Sequence, residues 1–194
     1  MVPRDAQRED HENLREVLKT TVLATGYGQG PVSLGRRLRT QSDYAGSILS
    51  QFERAYPEWS VFANRVWVTS QFRKRMRAPL GWKMWVTPLT DEHLSLKNWP
   101  IQACAAEILK VAVVLAFQRA LRVVGALHDA LLVECRIEDL ARTETVVREV
   151  MVEASRIVLR SYELAVDCKV FVYPERFHDK RGDETWAEIR DVMG

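Results

Sequence analysis

Hydrophobic positions recur at three- and four-residue spacings through most of the chain, the period of amphipathic helices. Leu14, Val17, Leu18, Val22 and Leu23 set an apolar stripe along a helix from Asp5 to about Thr25, which Gly26-Tyr-Gly-Gln-Gly-Pro31 then breaks. Further helices are expected from about Val32 to Arg39, Asp43 to Arg54 and Glu58 to Arg77. After Pro79, the run Leu80-Gly-Trp-Lys-Met-Trp-Val86 predicts a short hairpin or bent strand around Gly81. Thr87 to Lys97 reads as loop. Pro100 is expected to open a long helix to about Arg122, because its missing N–H is harmless in a first turn.

The period then shortens. Val123-Val-Gly-Ala-Leu127 and Ala130-Leu-Leu-Val-Glu134 are β-like runs flanking His128-Asp129, a pattern that predicts a hairpin with these two side chains at its tip. A helix follows with Leu140, Val147, Val150, Met151, Ala154, Ile157 and Val158 on one face. A strand from about Leu164 to Tyr173, a polar loop and a short helix from Glu184 close the chain. Helices that lead into an antiparallel sheet with covering helices make the fold class α+β. No internal repeat or linker is evident.

Composition narrows the class. The 194 residues are 47% hydrophobic and 28% charged, which excludes collagenous, low-complexity and wholly disordered chains. Three cysteines, Cys104, Cys135 and Cys168, form no paired spacing, which points to a reducing, cytoplasmic setting. The N-terminal segment is too polar for a signal peptide. The run Ala103 to Phe117 carries Glu107 and Lys110 and is too short to span a bilayer, so no membrane is expected as a partner.

Charge is unevenly divided. Residues 1–90 carry 14 basic and 8 acidic side chains, whereas residues 91–194 carry 14 and 18. Trp59 to Thr90 holds no acid, yet it contains Arg65, Arg73, Lys74, Arg75, Arg77 and Lys83 among Trp59, Trp67, Trp82 and Trp85. Cations mixed with aromatics suit a phosphate backbone and its bases, and they equally suit a solvated helix face over core tryptophans.

Three constellations carry candidate chemistry. Arg15, Lys19 and Leu23 are each four residues apart, so on a helix they drift by about 40° per step and share a face suited to a triphosphate. Tyr27-Gly28 continues the series. An aspartate at a hairpin tip, Asp129, offers oxygen to a hard cation such as Mg²⁺. Asn98-Trp-Pro-Ile-Gln102 places two amides at the start of a helix. Taken singly, these read as solvated charges, a turn aspartate and a helix cap.

Taken in order, they resemble the C-terminal part of family A (polymerase I type) DNA polymerases. Arg15, Lys19 and Tyr27-Gly28 are similar to the fingers helix known as motif B. Asn98 to Lys110 resembles the helix before the last palm hairpin, and Leu127-His128-Asp129 resembles motif C. Val170-Phe-Val-Tyr-Pro174 followed by Arg181-Gly-Asp-Glu-Thr-Trp186 is similar to the close of the short forms found in mobile or plasmid-like elements. The resemblance implies a helical fingers-like region at 1–90 and a palm-like region at 91–194.

It also implies roles. Arg15 and Lys19 would hold the phosphates of the incoming dNTP. Leu23 would pack on the sugar, where the family usually has an aromatic ring. Tyr27 would stack near the template base, with Gly28 giving room. Asn98, Gln102 and His128 would face the minor groove of primer–template DNA, whose acceptors are shared by correct pairs. The acid-free region, through Arg73, Lys74, Arg75 and Arg77, is a candidate DNA contact. Asp129 would be the catalytic, metal-bearing carboxylate, with two Mg²⁺ ions in the complete enzyme. The family's usual arginine four residues before Asn98 is Leu94, and its usual glutamate after Asp129 is Ala130, while Glu134 is kept.

A two-metal site needs a second aspartate, carried by motif A ahead of the fingers helix. Asp5 and Asp10 lie in a polar segment and Asp43 lies beyond the fingers helix. The expectation is a rear half of a polymerase, either truncated or completed by a separate chain carrying motif A and thumb, and inactive alone. A non-catalytic nucleic-acid-binding remnant is the alternative. A metal phosphohydrolase built on His128-Asp129 lacks supporting spacing from His11, His93 and His178.

Overall fold

The structure is a computed structural model that describes residues 12–88, 93–175, 177 and 182–193. The chain divides into two compact units, Met1–Lys110 and Val111–Gly194. Helices and a hairpin build the first: α1 (Glu12–Gly26), α2 (Pro31–Leu38), α3 (Ser42–Ala55), α4 (Pro57–Arg73), β1 (Arg75–Arg77), β2 (Lys83–Trp85) and α5, described from His93 to Gln118. The second holds the end of α5, then β3 (Arg122–Leu127), β4 (Ala130–Glu134), a 3-10 turn at Ile137–Asp139, α6 (Leu140–Val158) and α7 (Asp183–Met193). Helices with two small antiparallel sheets make this an α+β fold. The expected start of α1 at Asp5 and the residues Asp10, His11 and His178 lie outside the described residues.

In the first unit, Ala24, Leu34 and Ala45 are fully buried where α1, α2 and α3 meet, with Leu38 and Leu49 packed around them. Two alanines beside one leucine let the helix axes approach closely. Pro31 and Pro57 open α2 and α4, where a fixed φ and a missing N–H suit the first turn.

Helix α4 ends sooner than its periodicity predicts. Lys74 adopts φ 51°, turning the chain at the helix C-terminus, and Arg75–Arg77 becomes a strand paired with Lys83–Trp85. The hairpin around Gly81 therefore forms, but its first strand comes from residues that read as helix. Gly81 has φ +107°, which a Cβ would strain. Buried Glu107 of α5 ties this turn down: its Oε2 accepts the Leu80 N–H at 2.8 Å and its Oε1 accepts the Trp82 N–H at 3.4 Å. Lys110 lies over the Trp82 ring at 4.5 Å.

Helix α5 corrects a second expectation. Pro100 does not open it; the helix is already formed at His93, and Pro100 stands inside. A proline there leaves the Leu96 carbonyl without its N–H partner, at about 3 kcal/mol. Burial of Leu96 and Ala103 in the same turns offsets that cost. Leu96–Gln118 is long and apolar enough to cross a membrane by length and composition alone. The bonds from Glu107 and Lys110 to the β1–β2 hairpin give it the role of a packing helix.

In the second unit β3 and β4 pair from Arg122↔Glu134 to Leu127↔Ala130, with Val124 bulged between Val123↔Val133 and Gly125↔Leu132. On α6, Val150, Ala154 and Val158 are buried as the pattern predicts, while Ile157 is exposed. The strand expected at Leu164–Tyr173 does not form. Its backbone groups are taken by side chains of α6: the Leu164 N–H donates to Ser155 Oγ at 3.0 Å, and the Val166 carbonyl accepts from Arg148 Nη1 at 2.7 Å. Among the described residues no strand lies alongside to form a ladder.

Candidate nucleic-acid interface

The candidate residues fall into one group in each unit. In the first, α1 carries Arg15, Lys19 and Leu23 on its exposed surface. Both cations lean on one carboxylate that the sequence pattern did not single out: Glu16 Oε1 is 3.3 Å from Arg15 Nη1 and 3.5 Å from Lys19 Nζ. Exposed pairs of this kind are worth about 0–1 kcal/mol. A triphosphate, with several charges and more acceptors, displaces such a pair readily.

Tyr27 and Leu23 are 40% and 48% exposed, large apolar surfaces left uncovered beside the cations. Gly28 ends α1 through local backbone geometry. It has φ +65°, its N–H donates to Thr25 O at 2.9 Å, and the Gln29 N–H donates to Ala24 O at 2.8 Å. This double bond pattern over a left-handed glycine is a Schellman cap.

Asn98 is a buried group, 5% exposed, where a groove-facing amide was expected to be open. Helix α5 extends past it on the N-terminal side, so its side chain caps nothing. Its Oδ1 lies 3.8 Å from the point where a Cβ on Gly26 would stand, which puts it against the end of α1. Among the described residues two buried side-chain polar atoms lack a partner, Asn98 Nδ2 and Gln29 Oε1. An unpaired buried donor or acceptor costs about 1–3 kcal/mol, so each is a group waiting for a complement. No spacing in the sequence sets Gln29 apart. Gln102, one turn beyond Asn98, is exposed.

The basic stretch is split by the α4 terminus. Arg73, Arg75 and Arg77 line one cavity of about 550 Å³, joined by Arg65 and Lys83. Lys74 does not line it, and its ammonium donates to Gln71 Oε1 at 3.1 Å. Arg65 and Lys83 belong to the same acid-free stretch, and only the fold shows that they converge with the others. Close by on α5, burial and then the negative charge of Glu107 raise the Cys104 pKa above the ordinary thiol value.

In the second unit His128 and Asp129 occupy the tip between β3 and β4, both exposed. His128 has φ +54°, a left-handed conformation that histidine tolerates better than most residues. Glu134 stands at the open end of the hairpin, roughly 16 Å along the strand from the tip, and pairs with Arg122 at 3.3 Å. It adds nothing to a carboxylate cluster at Asp129. Among the described residues no three His, Cys, Asp or Glu side chains group to hold a metal ion. Asp129 alone therefore does not make a Mg²⁺ site, because that ion binds through several oxygens in a near-octahedral shell.

DNA polymerase family A matches residues 3–173. The chain is 26% identical over 172 residues to a thermostable DNA polymerase I of Thermus thermophilus, covering 82% of this chain and 20% of that protein. It is 24% identical over 154 residues to the thermostable DNA polymerase I of Thermus filiformis, covering 73% and 18%. The chain thus spans about a fifth of the length of these relatives. A solved structure of the POL domain of Pol1 from M. smegmatis, in complex with DNA primer-template and dNTP, superposes with a TM-score of 0.67 at 24% identity, covering 73% of this chain and 27% of that one. A match that takes in the α1 cations and the Asp129 hairpin alike places the chain in DNA polymerase family A.

Proposed function

We propose that the chain supplies the nucleotide-binding and rear-palm side chains for template-directed DNA synthesis. The observation that carries this reading is the ordered pair formed by the α1 cations and the hairpin-tip Asp129, both inside the matched span. Residues 1–90 act as fingers and 91–194 as palm. The related Pol1 domain was solved with primer-template DNA and dNTP, which supports the same two partners here.

Arg15 and Lys19 release Glu16 and take the phosphates of the dNTP, offsetting charge that builds as the α-phosphate is attacked. Leu23 packs on the sugar and Tyr27 on the template base, beside the Gly28 cap. Asn98 Nδ2 finds its missing acceptor at the edge of a bound nucleotide, and Gln102 and His128 donate into the minor groove. Arg73, Lys74, Arg75 and Arg77 add sequence-independent affinity for DNA. The three cysteines are free, consistent with a cytoplasmic setting. The ending around Val170–Pro174 supports kinship with the short forms of mobile or plasmid-like elements.

Asp129 is the catalytic carboxylate, and Mg²⁺ binding there requires a second carboxylate, from a motif A carried on another segment or a separate chain. The chain alone is then inactive. Primer extension by these 194 residues, with and without a family A palm and thumb supplied in trans, tests this. Extension is expected only in the supplemented reaction. Robust extension by the chain alone overturns the requirement, and supplemented extension indifferent to Asp129→Ala overturns the role of Asp129.

A further inference from the structure

The acid-free stretch folds into a cavity, and its walls combine two chemistries. Five cations, Arg65, Arg73, Arg75, Arg77 and Lys83, line about 550 Å³ with no carboxylate among the described lining residues. Among the described residues none of the five forms an ion pair. Like charges held around one space repel, and an anion entering it relieves that repulsion while focusing counter-charge.

The second chemistry is aromatic. Phe62 of α4, 40% exposed, and Trp99 of α5 also line the cavity. Trp99 is positioned by Trp82, whose ring centroid lies 5.9 Å away, and Trp82 is fixed in turn by Glu107 and Lys110. Duplex DNA satisfies the cations and leaves the rings idle, because its base faces are already stacked. An unpaired nucleotide offers both a phosphate and an open base face. The volume is within the range of small-ligand sites.

We propose that this cavity binds an unpaired nucleotide of single-stranded DNA, with phosphates on the arginines and Lys83 and a base against Trp99 and Phe62. The assignment rests on reading the chain as a polymerase segment and deepens it, giving the unpaired strand its own residues, distinct from the dNTP contacts on α1. A free nucleotide carries the same chemistry, but five cations exceed what one monophosphate neutralises, and a strand supplies successive phosphates.

The test is binding of the full chain to labelled oligo(dT), to a blunt duplex, to primer–template DNA and to dTMP, across a salt series. Oligo(dT) is expected to bind more tightly than the blunt duplex, with a log–log salt slope of about −2.8 if four of the five cations meet phosphates. Arg65→Ala with Lys83→Ala is expected to flatten that slope, and Trp99→Leu to weaken oligo(dT) binding about tenfold at unchanged slope. Phe62→Ala is a second aromatic probe at an exposed site, so that a misfolded Trp99 variant, detected by circular dichroism, does not void the experiment. Equal affinity for duplex and single strand, or variants that weaken both equally, overturns the cavity assignment and leaves the DNA-binding reading standing. Competition by dTMP at oligonucleotide concentrations overturns the strand in favour of a free nucleotide. Absence of binding to any DNA, primer–template included, overturns the underlying reading as well.

Discussion

The two hairpins have the same topology and opposite surroundings. In β1–β2 the inward pair is Met76↔Met84, and the outward positions are Arg75, Arg77, Lys83 and Trp85. Its turn is clamped by a buried carboxylate from α5. In β3–β4 Val123, Gly125, Leu131 and Val133 are half-buried, while Val124, Leu127 and Leu132 on the other positions are exposed. A hairpin with one polar and one apolar face is finished once a helix covers the apolar side. A hairpin apolar on both faces suits a larger sheet. The first hairpin is therefore complete in its own unit, and the second carries apolar side chains on both faces.

The two hairpins are expected to differ most at Asp129. In the supplemented enzyme, Asp129→Ala is expected to lower the extension rate by about 10³-fold or more, since removing a metal ligand forfeits several kcal/mol of transition-state stabilisation. Calorimetry on the chain alone is expected to show no tight Mg²⁺ binding. Tight binding that disappears in Asp129→Ala would mean that the second hairpin needs no completion.

The next largest effect falls on the first hairpin. Glu107→Leu leaves the Leu80 and Trp82 N–H groups without acceptors and is expected to reduce stability by about 2–4 kcal/mol in urea unfolding, whereas Glu107→Gln, which keeps one acceptor, costs about half. Equal losses for both would show that charge, and not the two hydrogen bonds, clamps the turn.

Cysteine chemistry sharpens the contrast at a smaller scale. Cys104 sits half-buried beside Glu107, and Cys135 is exposed just after β4. A raised pKa leaves Cys104 as the unreactive thiol through pH 8, and its alkylation is expected to rise only above the ordinary thiol range. Iodoacetamide at pH 8 should label Cys135 about tenfold faster. Equal rates would show that the α5–hairpin packing opens in solution.

The smallest expected change is at the tip of the second hairpin. His128→Gly removes a side chain from a left-handed position, so stability is expected to stay within about 1 kcal/mol while primer–template affinity falls. A loss above about 2 kcal/mol would show that the imidazole holds the tip together.

Some of the architecture is legible in local patterns alone. The α1 stripe, the glycine that ends it and the β3–β4 hairpin around His128-Asp129 are encoded in periodicity and turn chemistry within a dozen residues, and these carry the cation pair and the carboxylate. Tertiary contacts decided the rest. Burial of Leu96 and Ala103 carried α5 through Pro100, and side chains of α6 took the backbone groups of Leu164 and Val166 that a strand would have used. The α4 cap at Lys74 turned three residues of apparent helix into a strand and thereby gathered five cations round one cavity. Local propensities differ by about a kilocalorie per residue or less, proline excepted at about 3 kcal/mol, and a few buried contacts exceed either, so element identity near a helix end or a proline is settled by what packs against it.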